Sequence, residues 1–433
     1  MHHRFLSFVA VLLLCPALLA AEYSWPVFNG IHRDKVSQET GLLKSWPEGG
    51  PKLLWKAADL GSTEFPGYSS VTISDGRVFT AGNVRTGEND QEAHAYVFAI
   101  NEKTGEEIWR YRNGTAWTER GNFPGERGTP TIDADRVYAL SAVGRVACLD
   151  AATGREIWAR DLREEYDVTL PTWALAESLF VDGDKVIAWI GGEKAAVVAM
   201  NKMTGATVWE TPSTGQRGNY ASMLPFDYAG QRIYVNMDQA GILAVNAETG
   251  RKLFDIPYKT DWDVMATTPH FFDGKLFVTS GYGTGSKLYR LNASGGTITP
   301  ELIWENASFD NQHGGIVIKD GYAYGAAHRH GGQRMWMCIK LEDGSVAWEQ
   351  SGREMSMGSI TYADGMLFCM SEREGTVALL KASPEKFEEL GRFTLPQTEE
   401  GGGVGMFWAH PVVCNKRLYL RHGTFLYCYD IAE

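Results

Sequence analysis

His313 and His410 each stand just ahead of an apolar strand, and His328 and His330 sit together in the turn-rich phrase Ala327-His328-Arg329-His330-Gly331-Gly332. A metal would need two or three imidazoles converging with a carboxylate, each ring oriented by a further hydrogen-bond partner. No such spacing is present, so His328 and His330 read as hydrogen-bonded loop histidines and no metal site is expected. The cysteines carry still less chemistry. Beyond Cys15 they are Cys148, Cys338, Cys369, Cys414 and Cys428, an odd number with no adjacent pair and no CxxC, which excludes metal-finger and redox motifs. Contexts such as Val146-Ala147-Cys148 and Leu426-Tyr427-Cys428 suit a small buried hydrophobe. Pairing of Cys369 with Cys414 stays open. No nucleophile elbow is present, and Gly401-Gly402-Gly403-Val404-Gly405 precedes no helical pattern, so it reads as a loop and not a phosphate cradle.

Such scattered residues do chemistry only if the fold gathers them, and the fold is legible in a repeated phrase. Tyr96-Val97-Phe98-Ala99-Ile100 runs into Asn101-Glu102-Lys103-Thr104-Gly105-Glu106-Glu107-Ile108-Trp109: a strand, a tight turn and a second strand carrying an indole. The Asn or Asp accepts bonds from the following backbone N–H groups, and Gly adopts the positive φ that closes the hairpin. The phrase returns at Asp150–Trp158, Asn201–Trp209, Asn246–Phe254 and Lys340–Trp348, always with Gly four residues before the aromatic.

An independent signal agrees with it. Apolar hairpins turn near Asp75-Gly76, Asp133–Asp135, Asp182-Gly183, Ala229-Gly230, Asp273-Gly274, Asp320-Gly321, Asp364-Gly365 and Cys414–Lys416. Their spacing of roughly 45 to 60 residues is that of propeller blades. One such sheet cannot bury both faces alone, so the repeats must stack. The last repeat shows strands at Pro411–Val413, Leu418–Leu420 and Phe425–Tyr429 but no fourth, whereas Lys52-Leu53-Leu54-Trp55 has the character of a fourth strand with no first three. The expectation is an all-β, eight-bladed β-propeller of four-stranded antiparallel blades over 52–433, closed by an N-terminal strand that completes the last blade. Trp109, Trp158, Trp209, Trp304 and Trp348 are then inter-blade packing.

In a propeller the residues leading into each innermost strand converge on one mouth of the central channel. Those segments supply Tyr68, Arg127, Glu177, Tyr220, His313, Trp408 and His410, with Trp262 in a neighbouring loop, as candidate ligand-binding residues. A concave opening with a few polar groups among aromatics is the default binding site. Trp117, Trp173 and Trp262 are the rings a sugar could stack on.

The start of the chain reads as an export signal over 1–21, with a basic head, a short apolar core and small residues at its end. It is too short to span a bilayer, and Cys15 lacks the small residues a lipid-anchoring site wants. An ordered coil lying over the ring is expected for 22–51. The formal charge of −12 disfavours nucleic acid and anionic membrane as partners. A monomer, periplasmic or extracellular and without a transmembrane segment, is expected.

The recurring A-x-[DN]-x-x-T-G-x-x-x-W phrase resembles the signature of the PQQ-binding-like, quinoprotein alcohol dehydrogenase-like propeller repeats, over nearly the whole mature chain. The opening Trp25-Pro26 and the closing Trp408-Ala409-His410-Pro411 are similar to those of secreted bacterial propellers. That family includes PQQ-dependent alcohol dehydrogenases and the propeller component of the outer-membrane protein assembly machinery. In the enzymatic branch the resemblance implies an adjacent cysteine pair, a Ca²⁺ held by carboxylate and amide oxygens, and a catalytic Asp in a Trp-Asp motif. Asp263 of Asp261-Trp262-Asp263 matches the last, but no Cys-Cys pair exists. The expectation is an exported non-catalytic scaffold or binding protein without a cofactor, whose partner is another envelope protein or a small polar ligand. The alternative is an alcohol dehydrogenase-like oxidoreductase using PQQ with Ca²⁺ and Asp263.

Overall fold

The computed structural model describes residues 23–87, 92–119, 123–218, 220–328, 334–351, 355, 357–396 and 405–433. The expected export signal over 1–21, His330 and most of the Gly401–Gly405 loop lie outside them. Eight four-stranded antiparallel sheets follow one another along the chain. Blade 1 is built from Thr72–Ser74, Arg77–Arg85, Ala93–Asn101 and Glu107–Thr115, and blades 2 to 7 repeat that order up to Thr394. Blade 8 combines Val412–Cys414, Arg417–His422 and Phe425–Asp430 with Lys52–Ala57 as its outer strand, in the register Trp55↔Cys428 and Ala57↔Leu426. The ring is thus closed by pairing the two ends of the propeller, as expected.

The first hairpin of each blade turns where the sequence places it. Asp75 and Gly76 take φ of 50° and 70°, the mirror-image turn whose twist matches the strands it joins, and similar pairs recur at Asp273-Gly274 and Asn415-Lys416. In the third hairpin Asn101 Oδ1 accepts the Lys103 and Thr104 N–H groups, and Asp150, Asn201 and Asn246 do the same in their blades.

That turn also joins the blades. The Trp109 indole donates to the Ala151 carbonyl of blade 2 at 3.1 Å and lies against Gly154, where an added Cβ would sit 2.6 Å from Cδ2 of the ring. Only glycine lets the indole approach that closely. The bond recurs from Trp55 to Glu102, Trp158 to Lys202, Trp209 to Ala247, Trp304 to Leu341 and Trp348 to Ser383. Blade 4 carries Phe254 instead. Blade 5 ends in a long hairpin, Gly285–Ser294 with Thr297–Asn306, in place of the tight Asx-Gly turn, and a ring with no N–H suits that neighbour.

The N-terminal segment departs from expectation. It does not merely lie over the ring. Trp25 bridges Ile73 of blade 1, and the Pro26 carbonyl accepts Ile132 N–H of blade 2. Arg33 donates to the carbonyls of Ser178 and Met223, which lead into blades 3 and 4. Val36-Ser37 then pairs in parallel with Tyr362-Ala363 of blade 7, and Leu42 bridges Ala432 beyond blade 8. Contacts with inner strands on opposite sides of the ring mean that this strap crosses the axis. Arg33 and Lys35 are 1% and 2% exposed where it crosses.

The five cysteines beyond Cys15 are buried, and none of them is joined in a disulfide. Among the described residues no helix is long and apolar enough to cross a membrane.

Candidate functional site

Each innermost strand runs away from the mouth and the second strand returns to it. Two kinds of segment therefore meet at one end of the axis: the segments leading into first strands, and the turns after second strands. Together they enclose a cavity of about 300 Å³. The first kind supplies Tyr68, Arg127, Tyr220, His313, Trp408 and His410, six of the eight residues singled out from sequence. The second kind supplies Tyr282, His328, Glu372 and Arg373, while Arg334 stands at the head of a third strand. The strap contributes Phe28, whose ring lies 4.9 Å from that of His410. The strap therefore helps line the site.

Glu177 and Trp262 are not brought to the cavity. The Glu177 carboxylate is buried and accepts the Trp189 N–H, so it caps an amide inside its blade. Burial pushes it up to about 8 despite that bond and the Arg33 charge. Glu126 is used alike against Ala142 N–H, at about 7. Trp262 is 73% exposed in a turn at φ 67°. It belongs to the turn Asp261–Asp263, and the Asp263 side chain lies outside the described structure.

Glu372 is the centre of the cavity's polar wall. Its side chain is 4% exposed, and Oε1 lies 2.9 Å from Arg334 Nη1 and 3.4 Å from Arg373 Nε. Its Oε2 accepts the Trp408 indole N–H at 3.2 Å and stands 3.8 Å from His313 Nε2. Trp408 is also 5.0 Å from both the Tyr68 and Phe123 rings, so it joins this cluster to the opposite wall. There Arg127 stacks on Tyr68 at 4.9 Å and Trp117 at 5.4 Å and donates to the Gly125 and Phe123 carbonyls. Desolvation draws its guanidinium down to about 10.

His410 sits beneath, between ring and strap. Its Nε2 is 3.0 Å from the His313 carbonyl, which can only accept, so Nε2 carries the proton. Nδ1 then accepts from Lys35 Nζ at 2.6 Å, and Lys35 also donates to Ile360 O. Burial, and then the two groups' proximity, holds the imidazole well below its usual range, and burial does the same to the Lys35 amine. His313 is lowered by burial, with Glu372 opposing. His410 is thus a structural contact between strap and ring more than a group free to meet a ligand.

A Ca²⁺ takes six to eight oxygen ligands. The one carboxylate on the cavity wall among the described residues, Glu372, is held by two guanidiniums and an indole, and no described group of three or more His, Cys, Asp or Glu is arranged for a metal. The described lining residues do not supply the oxygen ligands of a PQQ–calcium centre of that kind.

The blade count, the Asx-Gly turns with their indoles and the cavity at one end of the axis define a PQQ-like repeat propeller. The family described as outer membrane protein assembly factor BamB matches residues 93–350, more than half of the chain, and the chain belongs to that family. It is similar to the BamB proteins of Salmonella typhimurium, at 30% identity over 35% of this chain and 36% of the relative, and of Escherichia coli, at 25% over 52% and 51%. It is also similar to a polyvinylalcohol dehydrogenase of Pseudomonas sp., at 24% over 52% of this chain and 34% of the relative. The chain spans about a third to a half of the length of these relatives. Among solved structures, BamB from Moraxella catarrhalis superposes with a TM-score of 0.55 at 16% identity, covering 87% of this chain and 97% of that one. Quinohemoprotein alcohol dehydrogenase from Comamonas testosteroni superposes at 0.66 and 14%, covering 94% and 80%. Both show the shared fold.

Proposed function

We propose that this chain is an exported, non-catalytic propeller that uses its axial mouth to bind an envelope protein or a small polar ligand. One observation carries the reading: two of the groups best suited to acid–base work, Glu372 and His410, are already committed to neighbouring side chains and carbonyls. Glu372 is held by Arg334, Arg373 and Trp408, and His410 by Lys35 and the His313 carbonyl. What faces the opening is a set of aromatic rings and guanidiniums on a rigid frame, which is equipment for recognition. Membership in a family named for outer-membrane protein assembly supports an envelope partner. The dehydrogenase alternative has in its favour the partial similarity to polyvinylalcohol dehydrogenase.

The test is affinity capture from the native envelope with wild type and a Phe123→Ala, Trp173→Ala, Tyr220→Ala variant of unchanged melting temperature. Loss of partners from the variant supports a mouth-centred site. Equal capture by both would move the site to the loops elsewhere on the ring.

A further inference from the structure

The charges around the axial cavity do not balance. Among the described lining residues three guanidiniums, Arg127, Arg334 and Arg373, face one carboxylate, Glu372. Glu372 satisfies Arg334 closely and Arg373 at the rim, which leaves nothing for Arg127. No described carboxylate lies within ion-pair distance of Arg127, and the adjacent Glu126 turns away to bond the Ala142 amide. Burial disfavours the charged forms of His313 and His410, and His410 Nδ1 already accepts from Lys35. Around Arg127 the described groups include the Tyr68 and Trp117 faces, two carbonyls and the charge of Glu126 beyond ion-pair distance, and in a partly desolvated wall a closer counter-charge is favourable. Two of the five N–H groups of Arg127 go to the Gly125 and Phe123 carbonyls, so donors remain for an acceptor in the cavity.

The rest of the wall is aromatic. Trp408 lies between Tyr68, Phe123 and His313, with ring centroids 5.0 to 5.6 Å apart. Phe123 and Tyr282 are set at the cavity with φ of 52° and 59°, a conformation rarely kept by bulky residues unless surrounding structure enforces it. At interior packing density, about 300 Å³ accommodates on the order of ten to fifteen non-hydrogen atoms. That is the size of one ring with one substituent group.

Building on the proposed use of the mouth as a binding site, the geometry points to a single-ring organic anion as its ligand, with a carboxylate or phosphoryl group on the Arg127 fork and its ring against Trp408, Phe123 and Tyr220. Recognition here comes from guanidinium donors and aromatic faces. It involves no metal ion and no covalent step.

The experiment is calorimetric titration of the full chain with benzoate, phenyl phosphate, inorganic phosphate and the neutral benzyl alcohol at low and moderate salt. At least one aromatic anion is expected to bind tenfold or more tightly than benzyl alcohol, and more tightly than inorganic phosphate, with affinity falling as salt rises. The better of benzoate and phenyl phosphate identifies the anionic group. Arg127→Met should cost the anion at least tenfold and leave benzyl alcohol unchanged. Arg127→Lys, which keeps the charge and loses the fork, should recover only part. If benzyl alcohol binds as well as the anions, or Arg127→Met binds them undiminished, the anion assignment falls while the cavity survives as a binding site. If no probe binds, the assignment falls together with the small-ligand form of the proposed function, and envelope capture alone decides the protein-partner form. The comparison of charged and neutral probes on wild type needs no variant to fold.

Discussion

Replacing Trp109 with Ala tests whether the indole contact holds neighbouring blades together. The ring is 9% exposed, lies 5.8 Å from the Phe79 ring in its own blade, packs on Gly154 of the next, and donates to Ala151 O at 3.1 Å. Emptying a buried indole site costs about 3 to 5 kcal/mol, as the removed area and the cavity left behind add together. Trp109→Phe keeps most of the ring but orphans the Ala151 carbonyl, so about 1 to 2 kcal/mol of that loss should appear in it. Gly154→Ala attacks the same contact from the other side. Its Cβ would stand 2.6 Å from the indole, at a φ of 70° that alanine rarely adopts. A loss of about 2 to 4 kcal/mol is expected from the clash and backbone strain together. Once the indole is gone the clash is gone, so the double variant should be clearly less destabilised than the sum of the singles. Urea unfolding followed by tryptophan fluorescence and far-UV circular dichroism measures all four proteins, with stability compared at constant slope. A loss below about 1 kcal/mol for Trp109→Ala, or strict additivity in the double variant, would refute the account.

Three further outcomes are expected. Glu177 titrates near 8 in the fold against 4.5 for the unfolded chain, so its contribution to stability is complete below about 4.5 and is lost as pH rises toward 8. Glu177→Gln, which imitates the protonated form, should gain thermal stability over wild type progressively between pH 5 and 8, and a difference independent of pH in melting scans would count against this burial. His410 should show the Nε2–H tautomer in nitrogen-detected NMR across pH 5 to 8, and Lys35→Met, which removes the Nδ1 donor, should raise its pKa by lifting the charge that now opposes protonation; an Nδ1–H signal in wild type would contradict the assigned hydrogen bonds. Incubation with PQQ and Ca²⁺ should yield no dye-linked oxidation of simple alcohols, because Glu372 is engaged by Arg334 and Trp408. Robust turnover that vanishes in Asp263→Asn would reverse that conclusion.

Much of this architecture is local and could be read without coordinates. A hairpin turn is decided by the few residues that form it, so Asp75-Gly76, Asn101 to Gly105 and their repeats announced the blades, and the unpartnered Lys52–Trp55 strand announced the closure. Topology alone also placed Tyr68, Arg127, Tyr220, His313, Trp408 and His410 at one mouth. The same antiparallel order carries the turns after the second strands there too, a signal present in the chain that pointed to Tyr282, Glu372 and Arg373. Tertiary structure decided what each group does on arrival. Whether a glutamate faces a cavity or caps an amide depends on which N–H its neighbouring strand leaves unpaired, which is why Glu177 turned inward and Glu372 did not. The axial crossing of the strap rests on Arg33 and Lys35 meeting carbonyls 145, 190 and 325 residues away, and no local pattern foretells bonds between segments so remote.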